Sequence, residues 1–258
     1  MPFFNNGEVR IYYQVEGSGQ PLFLAHQATD SMDYWYRNHY VEKLIDKFQL
    51  IMTDARGHGQ SDKPHDPNAY HARFVVEDFC ILLDLLKIDR CHFWGYSMGG
   101  FNGLHFAKFY PSRLKSLVVG GAFPQVVRSE FGERLEDGFN IGIRQGPDAL
   151  IAYFEDWWGP MPETLEARLR SLDYKASWAG IHQTNNRLDI TEDLPKMHTP
   201  TLFYAGSEDP GPHKYAPLAA ETMPNGKFVS FPGYTHGTIS AEATLILDQV
   251  LPFLEEIS

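Results

Sequence analysis

One stretch of the sequence combines a nucleophile with the local pattern that would expose it. Residues 95–99 read Gly-Tyr-Ser-Met-Gly, with Ser97 at the centre. A short apolar run at 91–94 precedes them, and apolar residues follow at helical spacing as far as Pro111. This pattern predicts a strand, a sharp turn and a helix, with the Ser97 hydroxyl held exposed on the turn. The N–H of Met98 would then lie at a helix N-terminus, where negative charge is stabilised.

A serine hydroxyl is a weak nucleophile unless a general base lies within hydrogen-bond reach and a third group orients that base. Asp209 and His236 are the candidates, because Asp209 follows a predicted strand at 201–205 and His236 follows the last one, at 227–231. Serine, acid and histidine in this chain order match the order expected for a nucleophile on a strand-to-helix turn.

Other residues compete for these two roles. Glu208 lies beside Asp209 and is an alternative acid, whereas the earlier strand end at 120–123 carries no carboxylate. His182 and His213 are alternative bases, but neither follows the last predicted strand.

The elements that must position these groups alternate along the chain. An alternating strand at 8–16 is typical of an antiparallel edge, and continuous apolar runs predict buried strands at 22–25, 49–53, 91–94, 114–119, 201–205 and 227–231. Helices are predicted at 33–47, 70–86, 98–110, 215–223 and 240–255. This order predicts an α/β fold with a mainly parallel sheet covered by helices on both faces.

The middle of the chain interrupts this alternation. Residues 124–197 contain no convincing strand but several aromatic-rich helical stretches. We therefore predict a core formed by residues 1–123 and 198–258, and a helical cap or lid at 124–197. Active sites of such sheets lie at the carboxyl ends of the strands, so the cap should roof the site.

Composition limits the possible partners. The 258 residues include 33 acidic and 22 basic ones, giving a net charge of −11, which argues against nucleic acid and anionic membranes. Cys80 and Cys91 lack metal-ligand spacing and fit buried thiols of a reducing compartment, with a disulfide between them as the alternative. No signal peptide or membrane-length apolar run is apparent, so the expected location is cytoplasmic. The sequence leaves the oligomeric state open.

The motifs together resemble those of the α/β-hydrolase fold superfamily, over essentially the whole chain. The matching stretches are Leu24-Ala25-His26-Gln27, Asp54-Ala55-Arg56-Gly57-His58-Gly59-Gln60-Ser61, Gly95-Tyr96-Ser97-Met98-Gly99-Gly100, Pro200-Thr201-Leu202 with Gly206-Ser207-Glu208-Asp209, and Gly233-Tyr234-Thr235-His236. The resemblance implies an eight-stranded sheet and a catalytic triad. In it Ser97 is the nucleophile, His236 is the base and then the acid, and Asp209 is the orienting carboxylate. It also implies an oxyanion hole formed by the N–H groups of Met98 and Ala28.

The first loop departs from the family pattern, which has glycine where this chain has Gln27. Glycine allows backbone angles that glutamine resists, so either the loop avoids them or Gln27 is strained. Its side chain could also enter the pocket and bond a substrate oxygen.

Several further side chains have a predicted place around the site. Gln27, Phe123, Trp157 and Trp158 are the candidate pocket residues, although the two tryptophans fit the core of the cap equally well. A second group, comprising His26, His58, Asp54 and Arg56, is expected to tie the loops together.

The function implied by the resemblance is hydrolysis of a small carboxylic ester or lactone through an acyl-enzyme. Two alternatives stay open. The same triad could cleave a carbon–carbon bond or carry out perhydrolysis, or the chain could be a receptor-like member that binds a ligand and turns it over slowly. The chemistry needs no cofactor, and the scattered histidines offer no metal site.

Overall fold

The fold is organised around one sheet of eight strands, seen in a computed structural model that describes residues 2–127 and 130–257. The strands are β1 (Phe3–Asn6), β2 (Val9–Glu16), β3 (Gln20–Ala25), β4 (Phe48–Thr53), β5 (Cys91–Tyr96), β6 (Leu114–Gly120), β7 (Thr201–Gly206) and β8 (Gly226–Phe231). Their order across the sheet is β1-β2-β4-β3-β5-β6-β7-β8.

Strand direction follows the sequence prediction. β2 pairs antiparallel with β1 and β4, and all later pairings are parallel, which confirms a mainly parallel eight-stranded sheet. β1 was not predicted, because four residues are too few to show a pattern. The parallel strands bring the ends of β5, β6, β7 and β8 to one edge of the sheet.

The helices connect and cover these strands. They are α1 (Asp33–Arg37), α2 (Tyr40–Leu44), α3 (Ala72–Leu85), α4 (Met98–Phe109), α5 (Glu130–Gln145), α6 (Pro147–Trp158), α7 (Glu163–Arg170), α8 (Tyr174–Asn185), α9 (Pro210–Thr222), α10 (His236–Ser240) and α11 (Ala243–Glu256). Short 3₁₀ helices occupy Pro67–Tyr70, Pro111–Arg113 and Thr191–Lys196.

Three helix predictions need correction. The single helix expected at 33–47 is two short ones, because His39 has a left-handed φ of 62° that interrupts it. The helix expected from 215 begins at Pro210, whose missing N–H and fixed φ suit a first turn. The last helix expected at 240–255 is α11, which begins later, at Ala243, and follows the separate short helix α10, which was not predicted.

Two apolar layers enclose the sheet. One contains side chains of α3, α4 and α9, including Phe79, Phe106 and Ala216. The other contains side chains of α1, α2 and α11, including Trp35 and Val250. Consecutive strand residues alternate between the layers, as expected for a sheet covered on both faces.

A helical segment, α5 to α8, lies between β6 and β7 in the chain. It has its own apolar cluster, which includes Phe139, Leu150 and Phe154. The division into a core and a cap remains a prediction; its ranges include residues 1, 128, 129 and 258, which lie outside the described ones. Across residues 2–127 and 130–257, no helix combines the length and apolar character that crossing a membrane requires.

One buried polar group lies far from the carboxyl edge of the sheet. His92, on β5, contacts Ser116 Oγ at 2.8 Å and Gln20 Oε1 at 3.0 Å through its two ring nitrogens. Since the Gln20 oxygen can only accept, His92 Nε2 carries the proton and Nδ1 accepts from Ser116. Burial lowers the pKa of His92 from 6.5 to about 4, and the charge of Lys115 acts in the same direction.

This lowered pKa predicts a contribution of His92 to acid sensitivity. Above pH 6.5 the ring is neutral in both states, but as the pH falls toward 4 the unfolded chain binds a proton that the folded chain does not. We expect His92→Gln to reduce the loss of unfolding free energy between pH 7 and pH 5 by on the order of 1 kcal/mol. Urea unfolding at the two pH values measures this, with the exposed His198→Gln as control. Equal pH dependence in wild type and His92→Gln would contradict it.

Candidate active site

Ser97 lies on the turn between β5 and α4 with an unusual backbone. Its φ of 52° and ψ of −114° are rare for a residue with a side chain and are characteristic of strained functional positions. Its N–H donates to the carbonyl oxygen of Gly120 at 2.8 Å. A β-carbon at Gly95 would collide with the Gly99 carbonyl group, and one at Gly99 would collide with that of Ala25. The flanking glycines are therefore required by close backbone approach.

Asp209 and His236 are joined by a short hydrogen bond, with His236 Nδ1 2.6 Å from Asp209 Oδ2. Asp209 is buried at the start of α9, directly after β7. His236 is the first residue of α10, and the flanking Thr235 and Thr238 form a reciprocal capping box that fixes this turn. Since the carboxylate can only accept, Nδ1 carries the proton and Nε2 is left with a free lone pair.

The surroundings of the imidazole fix its position further. Tyr96, next to Ser97, donates its hydroxyl to the His236 carbonyl oxygen at 2.5 Å, and the two rings lie 5.3 Å apart between centroids. Gly121, with a φ of 59°, leaves space for the ring, since a β-carbon there would lie 2.9 Å from His236 Cε1. Phe131 of the helical segment contacts the ring from another side, at 5.9 Å between centroids.

A cavity of about 860 Å³ joins these residues. The alternative bases His182 and His213 do not line it. The residues predicted for the triad, the oxyanion hole and the pocket all line it: Gln27, Ala28, Ser97, Met98, Phe123, Trp157, Trp158, Asp209 and His236. The two tryptophans stack on each other at 4.9 Å, and Trp157 also packs on the apolar cluster of the helical segment, so it belongs to both core and pocket. Within the described parts of the chain, no hydrogen bond joins Ser97 Oγ to His236.

Two backbone N–H groups at this cavity are available to a ligand. Among residues 2–127 and 130–257, neither Met98 nor Ala28 donates its N–H to a protein acceptor. The loop that carries Ala28 avoids strain at Gln27: the left-handed residue is Thr29, with a φ of 60°. The Gln27 side chain donates to Asp30 Oδ2 at 3.3 Å, so its amide nitrogen is directed to the protein.

The histidines of the adjoining loops hold backbone together. His26 Nδ1 lies 2.7 Å from the Gln27 carbonyl oxygen, and its Nε2 accepts the Ala55 N–H at 3.0 Å. Burial lowers the pKa of His26, and it lowers that of His58 to about 4. Both rings are therefore neutral at pH 7.

Two further side chains of the same region, those of Asp54 and Arg56, also bond within the protein. Asp54 accepts N–H groups from Met32 and Gln60, and Arg56 forms a buried pair with Asp78. All these contacts stabilise the loops beneath the cavity.

A comparison with known protein families shows to which family this chain belongs. Residues 20–240 match the family model described as the alpha/beta hydrolase fold. The chain belongs to this family. Strands β3 to β8, the nucleophile turn and the Asp209–His236 pair all lie within the matched region, whereas β1 and β2 precede it.

Individual relatives of this hydrolase are distant. It is 24% identical to RutD of Azorhizobium caulinodans, a protein designated a carbamate hydrolase, covering 100% of this chain and 99% of the relative. It is 29% identical to 3-oxoadipate enol-lactonase 1 of Acinetobacter baylyi, covering 66% of this chain and 65% of the relative. A solved hydrolase structure from Pseudomonas aeruginosa superposes with a TM-score of 0.85 at 23% identity, covering 98% and 97% of the two chains.

Sequence reasoning missed one charged cluster of this hydrolase. Asp30 has a side chain only 1% exposed, and its Oδ2 accepts from Arg37 at 2.7 Å and from Arg168 of α7 at 2.9 Å. Arg168 also lines the cavity. No motif marks this contact, because it joins positions 138 residues apart.

The cluster predicts a large stability effect at Asp30. Without its charge, two guanidinium groups face each other with no carboxylate between them, and breaking a buried pair costs several kcal/mol. We expect Asp30→Asn to lower the free energy of unfolding by about 3 kcal/mol in urea titrations. Glu256→Gln removes an exposed pair with Lys227 and should cost less than about 1 kcal/mol. Similar losses for both variants would contradict the prediction.

Proposed function

We propose that this protein is a serine hydrolase that cleaves a small carboxylic ester or lactone through an acyl-enzyme on Ser97. The proposal depends mainly on one observation, the 2.6 Å contact between His236 Nδ1 and the buried Asp209, at the cavity that Ser97 also lines. A neutral imidazole whose proton is fixed on Nδ1 has Nε2 free to act as a base.

In the first step, Ser97 Oγ attacks the substrate carbonyl carbon and His236 Nε2 takes the hydroxyl proton. Asp209 stabilises the imidazolium cation that forms. Ser97 Oγ and His236 are not hydrogen-bonded to each other in the structure, so the step requires this bond to form when the substrate binds. Such bonds are often long in free sites and shorten on binding.

The tetrahedral intermediate carries a negative oxygen that needs hydrogen-bond donors. We assign this role to the N–H groups of Met98 and Ala28, which lack protein acceptors in the described part of the chain. Met98 is also the first residue of α4, where the helix dipole favours negative charge. One such donor is worth on the order of 10²–10³ in rate.

Collapse of the intermediate breaks the bond between carbonyl carbon and leaving oxygen, and the imidazolium protonates that oxygen. In a lactone the released alcohol stays attached to the acyl group. A water molecule then attacks the acyl-enzyme with His236 as base, and the carboxylic acid and free Ser97 result. No cofactor enters these steps.

The cavity walls indicate what part of the substrate is held there. Aromatic side chains from core and helical segment line it, including Phe101, Phe123, Phe131, Trp157 and Trp158. These surfaces favour an apolar acyl or alcohol portion. The names of the two relatives, a carbamate hydrolase and an enol-lactonase, both describe hydrolysis at a carbonyl carbon, which supports the same class of reaction here.

The nucleophile assignment predicts that Ser97→Ala abolishes hydrolysis. With p-nitrophenyl acetate we expect kcat/KM to fall by at least about 10³-fold, since the covalent route is lost. A fluorophosphonate should modify wild type at Ser97, as read by peptide mass spectrometry, and should leave Ser97→Ala unmodified. The exposed Ser18→Ala is the matched control. Turnover that survives in Ser97→Ala would refute the assignment, and ester binding without turnover in wild type would favour the receptor-like alternative.

The acid assignment predicts an unequal effect of two neighbouring carboxylates. Asp209 is buried and bonded to His236, whereas Glu208 is exposed. We expect Asp209→Asn to lower kcat by roughly 10²–10⁴-fold, because it removes the charge that stabilises the imidazolium cation. Glu208→Gln should change kcat by less than about fivefold. The reverse ranking in steady-state kinetics would transfer the role to Glu208.

A further inference from the structure

Only one of the three guanidinium nitrogens of Arg168 has a hydrogen-bond partner among the described residues. Asp30 is the hydrogen-bond partner of its Nη1, at 2.9 Å. Its Nε is buried and has no partner among the described residues, and no bond to Nη2 occurs there either. A buried donor without an acceptor costs about 1–3 kcal/mol, so this arrangement indicates a missing partner.

The charge balance around Arg168 points to an anion. The single carboxylate of Asp30 is shared with Arg37, so two positive groups face one negative group. The Gln27 amide donates to the same oxygen and adds no negative charge. Among Asp30, Arg37 and Arg168, the positive charges therefore exceed the negative ones by one.

The acidic side chains at the cavity do not compensate this charge. Glu130 pairs with Arg134 at 2.7 Å, and Asp209 is bonded to His236. Glu208 is exposed and forms no ion pair with Arg168. None of them contacts the free edge of the guanidinium.

A second guanidinium at the cavity, that of Arg187, is in a different situation. It donates to the carbonyl oxygens of Thr184 at 3.0 Å and Gln125 at 2.5 Å, and it lies 4.0 Å above the Phe101 ring. These contacts engage both terminal nitrogens and one face of the guanidinium within the protein. Arg168 is therefore the better candidate for a ligand.

We propose that Arg168 binds a carboxylate carried by the substrate, so that the preferred substrates are esters or lactones bearing a second, free carboxylate. The Nε–H and one Nη2–H of a guanidinium point in parallel and match the two oxygens of a carboxylate. With Nη1 held by Asp30, this edge is the one left for the ligand, and because Nε is buried, the side chain must shift on binding to present it. The inference rests on the proposed function, because Ser97, which lines the same cavity, must attack the ester or lactone carbonyl of that substrate.

The test compares two p-nitrophenyl esters of equal length, one derived from glutaric acid with a free terminal carboxylate and one ending in a neutral carboxamide. Since the leaving group is the same, the ratio of their kcat/KM values reports recognition of the terminal charge. We expect wild type to favour the carboxylate by about 10- to 100-fold, mainly through KM. Arg168→Gln should reduce this ratio to near one, and Arg168→Lys should restore part of it.

Arg170→Gln is the matched control. Arg170 lies on the same helix, but pairs with Asp148 and Glu166 on the outside, so its loss should leave the ratio unchanged.

A second measurement uses wild type alone and therefore does not depend on the folding of a variant. Glutarate should inhibit hydrolysis of the carboxamide ester competitively, and glutaramide should not.

The outcomes separate the two proposals. Loss of all ester turnover in Ser97→Ala together with a wild-type ratio near one would overturn the carboxylate site and leave the hydrolase proposal intact. A ratio that falls in Arg187→Gln but not in Arg168→Gln would also overturn it. Turnover of both esters that persists in Ser97→Ala would instead refute the proposed function.

Discussion

The structure depends on close backbone approach at the turn that carries Ser97. Gly95 and Gly99 allow the start of α4 to lie directly against the ends of β5 and β3, where any β-carbon would collide with a carbonyl group. The cost is a positive φ at a serine, and the N–H of that residue is held by Gly120. The surrounding sheet and helix stabilise a conformation that an isolated turn would avoid.

The other site residues reach this turn because of strand order. β5, β6, β7 and β8 are neighbours in the sheet, and their carboxyl ends deliver Ser97, Gly121, Asp209 and His236 to one edge. Residues more than a hundred positions apart in sequence therefore share one cavity. The helical segment supplies the opposite wall, and Phe131 contacts the His236 ring directly.

Sequence patterns predicted the parallel strands and the candidate site, because buried strands are continuous apolar runs and the motif residues follow their ends. They did not predict the break at His39, since a left-handed residue between two helices leaves no periodic signal. They also missed Arg168, because its importance comes from an unpaired donor and a buried aspartate distant in sequence. Such features depend on tertiary packing.

The backbone of the loop after β3 determines which residues position 27 can accept. The left-handed conformation occurs at Thr29, and residue 27 has none, so glycine is not required at position 27. A side chain can therefore be carried there, at the cavity wall and beside Asp30. Substitutions at position 27 can therefore change the shape and polarity of the cavity without straining the loop, which a backbone that requires glycine there would not allow.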